Sequence, residues 1–411
     1  MPAIKPFYGI RPNPAYAGKV VLDLENLSLQ EAKIIRQKNP YSFVNMLVPK
    51  LENLFLRGSK NELAFKQINE NFEEFLGEGV LVYDNKPSIY VYQVLRDGNI
   101  QTGIWTVTAV DDYLNNTIKK HELTRPEREA VLIDYLQQTG IDANPVLITY
   151  HSVPEINELI TQICQSRPEL SFSKAGAVHH LWKSSDIPLV GKLVNEFAKL
   201  PFAYIADGHH RAAAASLLAL KQRKLNPKYK GTEEYNFFTA VYMASDQLKI
   251  CPFHRLVKDL NGKSIPDFIS ELSKYFSIKP SEKAVLPLQL HQFGMYMNNE
   301  WYSLTAYQET YQDNNPLSEL DVSILQEVVF KTILGMSDPR TDPRIGFSGG
   351  NEALENAIQQ VDTGEYEVAF TLYPTSFNQL FRVADEGEVM PPKSTWFEPK
   401  FQAGLLIHKI N

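Results

Sequence analysis

The chain has 411 residues, of which 44% are hydrophobic and 22% are charged, and its formal net charge is −7 at pH 7. This length is too great for one ordinary core and predicts about two or three domains. The acidic balance argues against a broad electrostatic contact with nucleic acid, which usually needs a basic surface.

The first residues have no apolar signal core, and the most apolar helical run, 212–220, is far too short to span a bilayer. The two cysteines, Cys164 and Cys251, fit no metal-binding spacing and are typical of reduced, buried thiols. We therefore expect a cytoplasmic protein that contacts neither membrane nor nucleic acid. The sequence leaves the oligomeric state open.

The hydrophobic pattern alternates between helical and strand periods along the chain. Ser28 and Glu31 form a capping signal before a helical stripe, and an Arg-Asp-Gly-Asn turn joins two strand-like runs. The runs, in chain order, are helices 27–39 and 61–79, strands 87–95, 101–110 and 144–152, helix 153–164, an edge strand at 175–185, helix 187–200 and a hairpin at 235–257. A second mixed pattern follows from about residue 262.

This order, with its antiparallel hairpins, predicts an α+β (mixed α/β) fold rather than a doubly wound sheet. We predict three domains. They are an N-terminal irregular and helical extension (1–85), a central core (86–260) and a C-terminal α/β domain (261–411).

The segment YIADGHHRAAAASLLALKQRK, residues 204–224, carries the strongest functional signal. An apolar strand ends at Asp207-Gly208, and His209, His210 and Arg211 then fill the first turn of a helix. A helix N-terminus attracts anions, and an arginine fork can bind phosphate oxygens. Cations at that end are unfavourable unless an anion binds, which favours a phosphate site. The alternative is a helix capped by Asp207 with a solvated first turn.

Two other segments could contribute charge to an anion site. In IKKHELTRPERE (118–129), Glu122 lies among cations that include Lys120 and Arg125, an arrangement typical of a general base near a phosphate donor. Thr124 is the expected N-cap of the helix that follows. In MPPKSTW, Lys393 and Ser394 follow a stiff proline pair and could hold an anion. The alternatives are a solvated charge run and a surface turn.

The motifs PFYGIRP, DDYLNNTIKKHELTRPERE, YIADGHHRAAAA, DVSILQ and MPPKSTWFEPK together resemble the bacterial and archaeal family of domain of unknown function 1015, from residue 6 onward. The DGHHR segment is also similar to the signature of ADP-dependent free-serine kinases, over residues 85–260. Those kinases belong to the ParB/sulfiredoxin-like superfamily. This second resemblance implies a ParB/sulfiredoxin-like central core.

The kinase resemblance implies a nucleotide-dependent phosphotransferase that acts on the hydroxyl of a small metabolite, with ADP or ATP and Mg²⁺. Asp207 would hold the metal, and Glu122, Asp207 and His210 would be catalytic. The phosphate-binding residues would be Gly208, His209, Arg211, Lys120, Arg125, Lys393 and Ser394.

The chain departs from its family at two segments, where it reads KVVLDLENLS and EAVLIDYLQQTG. Family members carry a Pro-Pro-Tyr-Asp segment at the first and an Asp-Arg…His segment at the second. These departures support an alternative hypothesis, a non-catalytic nucleotide-binding regulatory module with a ParB-like fold.

Overall fold

The computed structural model describes residues 2–24, 27–47, 59–336, 338 and 340–411. The chain divides into two compact units. Unit 1 comprises Met1–Lys119, Thr124–Leu248 and Pro399–Asn411, and unit 2 comprises Lys120–Leu123 and Lys249–Glu398. The predicted three-domain division stays a prediction, and residues 48–58 of its first part lie outside the described residues.

The α-helices are α1 (Ala17–Val20), α2 (Leu29–Lys38), α3 (Ser59–Gly77), α4 (Val110–Leu114), α5 (Pro126–Thr139), α6 (Pro154–Cys164), α7 (Ile187–Phe197), α8 (His209–Leu225), α9 (Ile265–Leu272), α10 (Asp321–Ile324), α11 (Ala353–Asp362) and α12 (Phe377–Asp385). Among the described residues, none of the helices combines the length and the apolar character needed to cross a membrane.

The strands are β1 (Ile4–Lys5), β2 (Ile10–Pro12), β3 (Leu22–Asp23), β4 (Leu81–Tyr83), β5 (Ile89–Arg96), β6 (Asn99–Ala109), β7 (Ile118–Lys119), β8 (Ile141–Asp142), β9 (Val146–Tyr150), β10 (Leu170–Lys174), β11 (Ala177–Ser184), β12 (Ala203–Asp207), β13 (Phe237–Ala244), β14 (Lys249–Cys251), β15 (Phe253–Val257), β16 (Phe276–Ser281), β17 (Gln292–Met297), β18 (Glu300–Ala306), β19 (Ile345–Gly349), β20 (Val368–Leu372), β21 (Trp396–Glu398), β22 (Gln402–Ala403) and β23 (His408–Lys409).

Unit 1 is built on a mixed sheet with the strand order β10-β11-β5-β6-β13-β9-β12-β7, and β1 pairs with β6. Strand β13 runs parallel to β9, and β12 runs parallel to β7, whereas β12 and β9 are antiparallel. This mixture of parallel and antiparallel pairs confirms the α+β class. Strand β11 lies between β10 and β5, so the prediction of an edge strand there was wrong, because the run 170–174 was not recognised as its partner.

Two hydrophobic clusters stabilise unit 1. One packs α6, α7 and α8 against the sheet, and Ala212, Ala215 and Ala219 let α8 lie close to it. The other joins the N-terminal helices to short strands and to the last residues of the chain. Strands β22 and β23 pair with β3 and β8 respectively, so the segment after Pro399 is part of this unit.

Unit 2 contains an antiparallel sheet with the strand order β16-β18-β17-β20-β15-β19. Helix α10 continues directly into a π-helix at Leu325–Ile333. Asp321 is the first residue of α10, and its buried carboxylate accepts a hydrogen bond from the backbone N–H of His291 at 2.8 Å. Burial raises the pKa of Asp321 to about 7, and the hydrogen bond from His291 opposes this only partly.

Candidate functional site

The segment that joins β12 to α8 has the predicted strand–turn–helix form. Residues 203–206 are buried strand, and the pairing register of β12 with β9 shifts between Ile205 and Asp207. Such irregularities re-aim a side chain at the end of a strand. The Asp207 side chain is 38% exposed and lines a polar cavity, so the strand ends by presenting a carboxylate to solvent-accessible space.

Gly208 is the N-cap residue of α8 and has φ = +98°, which L side chains rarely adopt. A Cβ atom at this position would lie 2.9 Å from Cζ and Nε of Arg211. Glycine therefore satisfies two needs, because it permits the backbone turn and leaves space for the arginine to fold back over it. Having no side chain, Gly208 cannot itself cap the N–H groups that an α-helix leaves without intrahelical acceptors.

Arg211 is held in place by groups on the neighbouring chain segment. Its Nη1 donates to Oδ1 of Asn144 at 2.8 Å and also to the carbonyl oxygen of Pro145. Its Nη2 lies 3.5 Å from Oδ2 of Asp207. The side chain is 23% exposed, so the guanidinium is fixed on one side and remains accessible on the other.

Lys400 brings a second cation to the same place. Its Nζ lies 3.4 Å from Oδ2 of Asp207, and its side chain is only 15% exposed. Sequence reasoning missed this residue, although it ends the motif MPPKSTWFEPK. The sequence shows only a lysine after Glu398-Pro399, and no local pattern indicates that this lysine reaches Asp207.

These side chains surround one polar cavity of about 40 Å³ within unit 1. It is lined by Asp23, Leu24, Asn144, Leu147, Asp207, Arg211, Pro399, Lys400 and Phe401. Arg211, Lys400 and the start of a 17-residue helix meet there and favour negative charge, whereas the side chains of Asp23 and Asp207 oppose it. An anionic group could bind here by taking over part of the contacts that Arg211 and Lys400 make with Asp207.

The two adjacent histidines have different surroundings, as their spacing of about 100° around the helix predicts. His209 is buried and His210 is half-buried. Nδ1 of His210 accepts from the backbone N–H of Arg125 at 3.4 Å, which requires Nδ1 to be the unprotonated nitrogen. The N-cap residue of α5 is Arg125, so the prediction of Thr124 as the N-cap was wrong. His210 therefore contacts the first residue of the α5 N-terminus.

The other predicted residues belong to unit 2. Lys120 and Glu122 are both half-buried, and burial lowers the pKa of Lys120. Ser394 is buried, and its hydroxyl donates to the carbonyl oxygen of Pro391 at 2.6 Å. Lys393 has φ = +58°, and the buried guanidinium of Arg255 donates to its carbonyl oxygen at 2.9 Å.

The structure thus brings Asp207, Gly208 and Arg211 together and adds Lys400 and Asn144 to them. Within the described ranges, no group of three or more His, Cys, Asp or Glu side chains is placed to hold a metal ion.

The fold and this cavity define an α+β protein with a charged cavity where a strand meets a helix. Residues 4–323 match the family described as Protein of unknown function (DUF1015). Because this match spans well over half of the chain, the protein belongs to that family, and the resemblance seen in the motifs is confirmed. Comparison with curated proteins finds no match.

Several solved structures are distantly similar. A free serine kinase in complex with AMP is 14% identical, with a TM-score of 0.37, over 75% of this chain and 91% of that chain. A mutant of a free serine kinase in complex with ADP is 13% identical, with a TM-score of 0.39, over 77% and 95% of the two chains. A conserved hypothetical protein from Pyrococcus furiosus is 13% identical, with a TM-score of 0.36, over 77% and 98%. At these scores the likeness supports no inference about activity.

Proposed function

We propose that unit 1 contains a ParB/sulfiredoxin-like core, which binds the terminal phosphates of ADP or ATP at the start of α8. The protein then transfers a phosphoryl group to the hydroxyl of a small metabolite, in the manner of the free-serine kinases. The acceptor oxygen forms the new bond to phosphorus, the bond to the bridging phosphate oxygen breaks, and the hydroxyl proton passes to a base.

The observation that carries this proposal is the meeting of Arg211 and Lys400 at the Gly208 turn. The guanidinium group of Arg211 and the ammonium group of Lys400 each lie within 3.5 Å of the Asp207 carboxylate. The polar cavity that they line is next to the N-terminus of α8. A phosphate group would replace part of the Asp207 contacts with charge-assisted hydrogen bonds, which are stronger than neutral ones. Positioning and neutralisation of charge supply most of the acceleration in phosphoryl transfer.

The donor set fits Mg²⁺ only as part of a nucleotide complex. Asp207 would supply one carboxylate oxygen, and the phosphates would supply further ligands. When bound, the ion would neutralise phosphate charge. Arg211 and Lys400 already neutralise Asp207, so in this proposal the phosphates replace part of the contacts that the two cations make with Asp207.

The remaining roles come from the motif resemblance. Glu122 stays the predicted base for the hydroxyl proton, and His210 stays a predicted catalytic residue. Lys120, Arg125, His209, Lys393 and Ser394 stay predicted phosphate-binding residues. Replacement of Glu122 by Gln tests the base directly, since it should lower kcat without a comparable change in nucleotide affinity.

Phosphorus NMR of the protein with ADP or ATP, Mg²⁺ and a set of hydroxyl metabolites that includes serine tests the function. We expect a new phosphomonoester signal, lost in Arg211→Gln and kept in the matched control Arg223→Gln. Arg223 lies near the other end of α8 and pairs with Asp111 at 2.7 Å. Tight nucleotide binding without turnover would instead establish the regulatory module, and no binding by calorimetry would overturn both.

A further inference from the structure

A second cavity in unit 1, of about 160 Å³, has a largely apolar lining. It lies between the two hydrophobic clusters described above. Val146, Ala215 and Phe238 come from the cluster beneath α8, whereas Phe43, Ile141 and Ala143 come from the other. We call it the apolar chamber. Chambers of this kind, with few polar groups, are typical of sites for the apolar part of a small molecule.

The apolar chamber and the polar cavity share three lining residues, Leu24, Asn144 and Arg211. Ala215 lies one helical turn after Arg211, on the same face of α8, and its small side chain leaves space there. One molecule can therefore contact Arg211 with an anionic group and place an apolar ring in the chamber. Free serine, which is small and polar, does not match that lining.

A carboxylate is the unusual group in this lining. Asp142 accepts hydrogen bonds from the backbone N–H and the hydroxyl of Thr239, at 2.7 and 2.9 Å. Burial raises its pKa, and the opposing effects of these hydrogen bonds and of the charges of His408 and Arg211 are smaller. A carboxylate in such surroundings is stabilised by a further N–H donor, since burying a charge is costly unless it is hydrogen-bonded.

We propose that the apolar chamber binds the heteroaromatic base of the nucleotide, and that Asp142 selects a base with an exocyclic amino group by accepting its N–H. This inference rests on the proposed function for the phosphate end only. Adenine offers such an amine, whereas hypoxanthine presents a carbonyl oxygen at the same position, which would face the carboxylate unfavourably.

Calorimetry with four probes tests the proposal: inorganic pyrophosphate, adenosine, ADP and IDP. We expect ADP to bind at least about tenfold more tightly than IDP, the effect of one good polar contact. Leu132→Trp fills the chamber from a half-buried position on α5. This substitution should weaken the binding of ADP and of adenosine by about tenfold or more and leave the binding of pyrophosphate unchanged. If that variant does not fold, Val131→Phe repeats the test at the preceding residue, which also lines the chamber.

Asp142→Asn provides the second arm, because its amide can donate to a carbonyl and still accept from Thr239. The Asp142→Asn variant should reduce or reverse the ratio by which ADP binds more tightly than IDP. Equal binding of ADP and IDP by the wild type, or unchanged adenosine binding in the filled variant, would overturn the inference. The phosphate site alone would be overturned if pyrophosphate does not bind, while adenosine binds the wild type and binds Leu132→Trp more weakly.

Discussion

Replacement of Lys400 by Met separates ligand binding from folding at the polar cavity. Methionine is unbranched and flexible, so it can fill the space of the lysine stem without its charge. The ion pair of Lys400 with Asp207 is 3.4 Å long and joins side chains that are 15% and 38% exposed. Since Arg211 stays within 3.5 Å of Asp207, the carboxylate keeps a cation, and the free energy of unfolding should fall by less than about 1 kcal/mol.

The effect on nucleotide affinity should be much larger. A charge-assisted contact to phosphate contributes about 1.5–3 kcal/mol, which corresponds to a tenfold to hundredfold rise in the Kd for ADP. Calorimetry measures that Kd, and urea unfolding measures the stability. The affinity of the variant should also depend less on salt, because one cation has been removed.

Lys5→Met is the matched control. Lys5 pairs with Glu234 at 2.9 Å in the same unit, with side chains 35% and 43% exposed, and does not line either cavity. It should change neither the Kd nor the stability by much. If Lys400→Met binds ADP as tightly as the wild type but loses more than about 2 kcal/mol of stability, Lys400 is a structural ion-pair partner and the charge reasoning is refuted.

Three further changes test other parts of the structure. Gly208→Ala should cost about 1–3 kcal/mol of stability because of its φ of +98° and should weaken ADP binding by displacing Arg211; thermal unfolding and calorimetry check both, and unchanged values would contradict the strained turn. For Asp321, a pKa raised from 3.8 to about 7 means that the folded state binds more protons than the unfolded state between these values. Wild-type stability should therefore fall as pH rises from about 4 to 7, by on the order of 4 kcal/mol, whereas Asp321→Asn should lack this slope in urea unfolding at several pH values. Arg255→Lys should lower the stability of unit 2 by about 1.5–3 kcal/mol, because an ammonium group cannot reproduce the fork that holds the carbonyl oxygens of Pro392 and Lys393; an unchanged unfolding midpoint would show that these contacts contribute little.

The local part of the fold could be predicted from sequence because its signals lie within a few residues of one another. Ser28 and Glu31 form the predicted capping box at the start of α2, and the Asp97-Gly98 turn joins β5 to β6 as expected. The turn into α8 follows in the same way from an apolar strand, a glycine and a run of alanines. Each of these depends on backbone preferences that act within one turn.

The candidate site could be predicted only in part, because its groups come from distant positions. Lys400 lies 193 residues after Asp207, and no local pattern indicates that the two side chains meet. Asn144 fixes Arg211 from the loop before β9, a contact that depends on the pairing of β9 with β12. The turn at Ser394 is held by Arg255, 138 positions before Lys393 in the chain.

The late position of Lys400 has a consequence for synthesis of the protein. The ribosome completes Asp207, Gly208 and Arg211 before Lys249–Glu398 of unit 2, and the segment from Pro399 onward is translated after both. Until β22 and β23 pair with β3 and β8, a nascent chain has one cation fewer at the turn and an unfinished hydrophobic cluster. In the proposed function, the phosphate site therefore stays incomplete until Lys400 has been translated and the segment from Pro399 onward has paired.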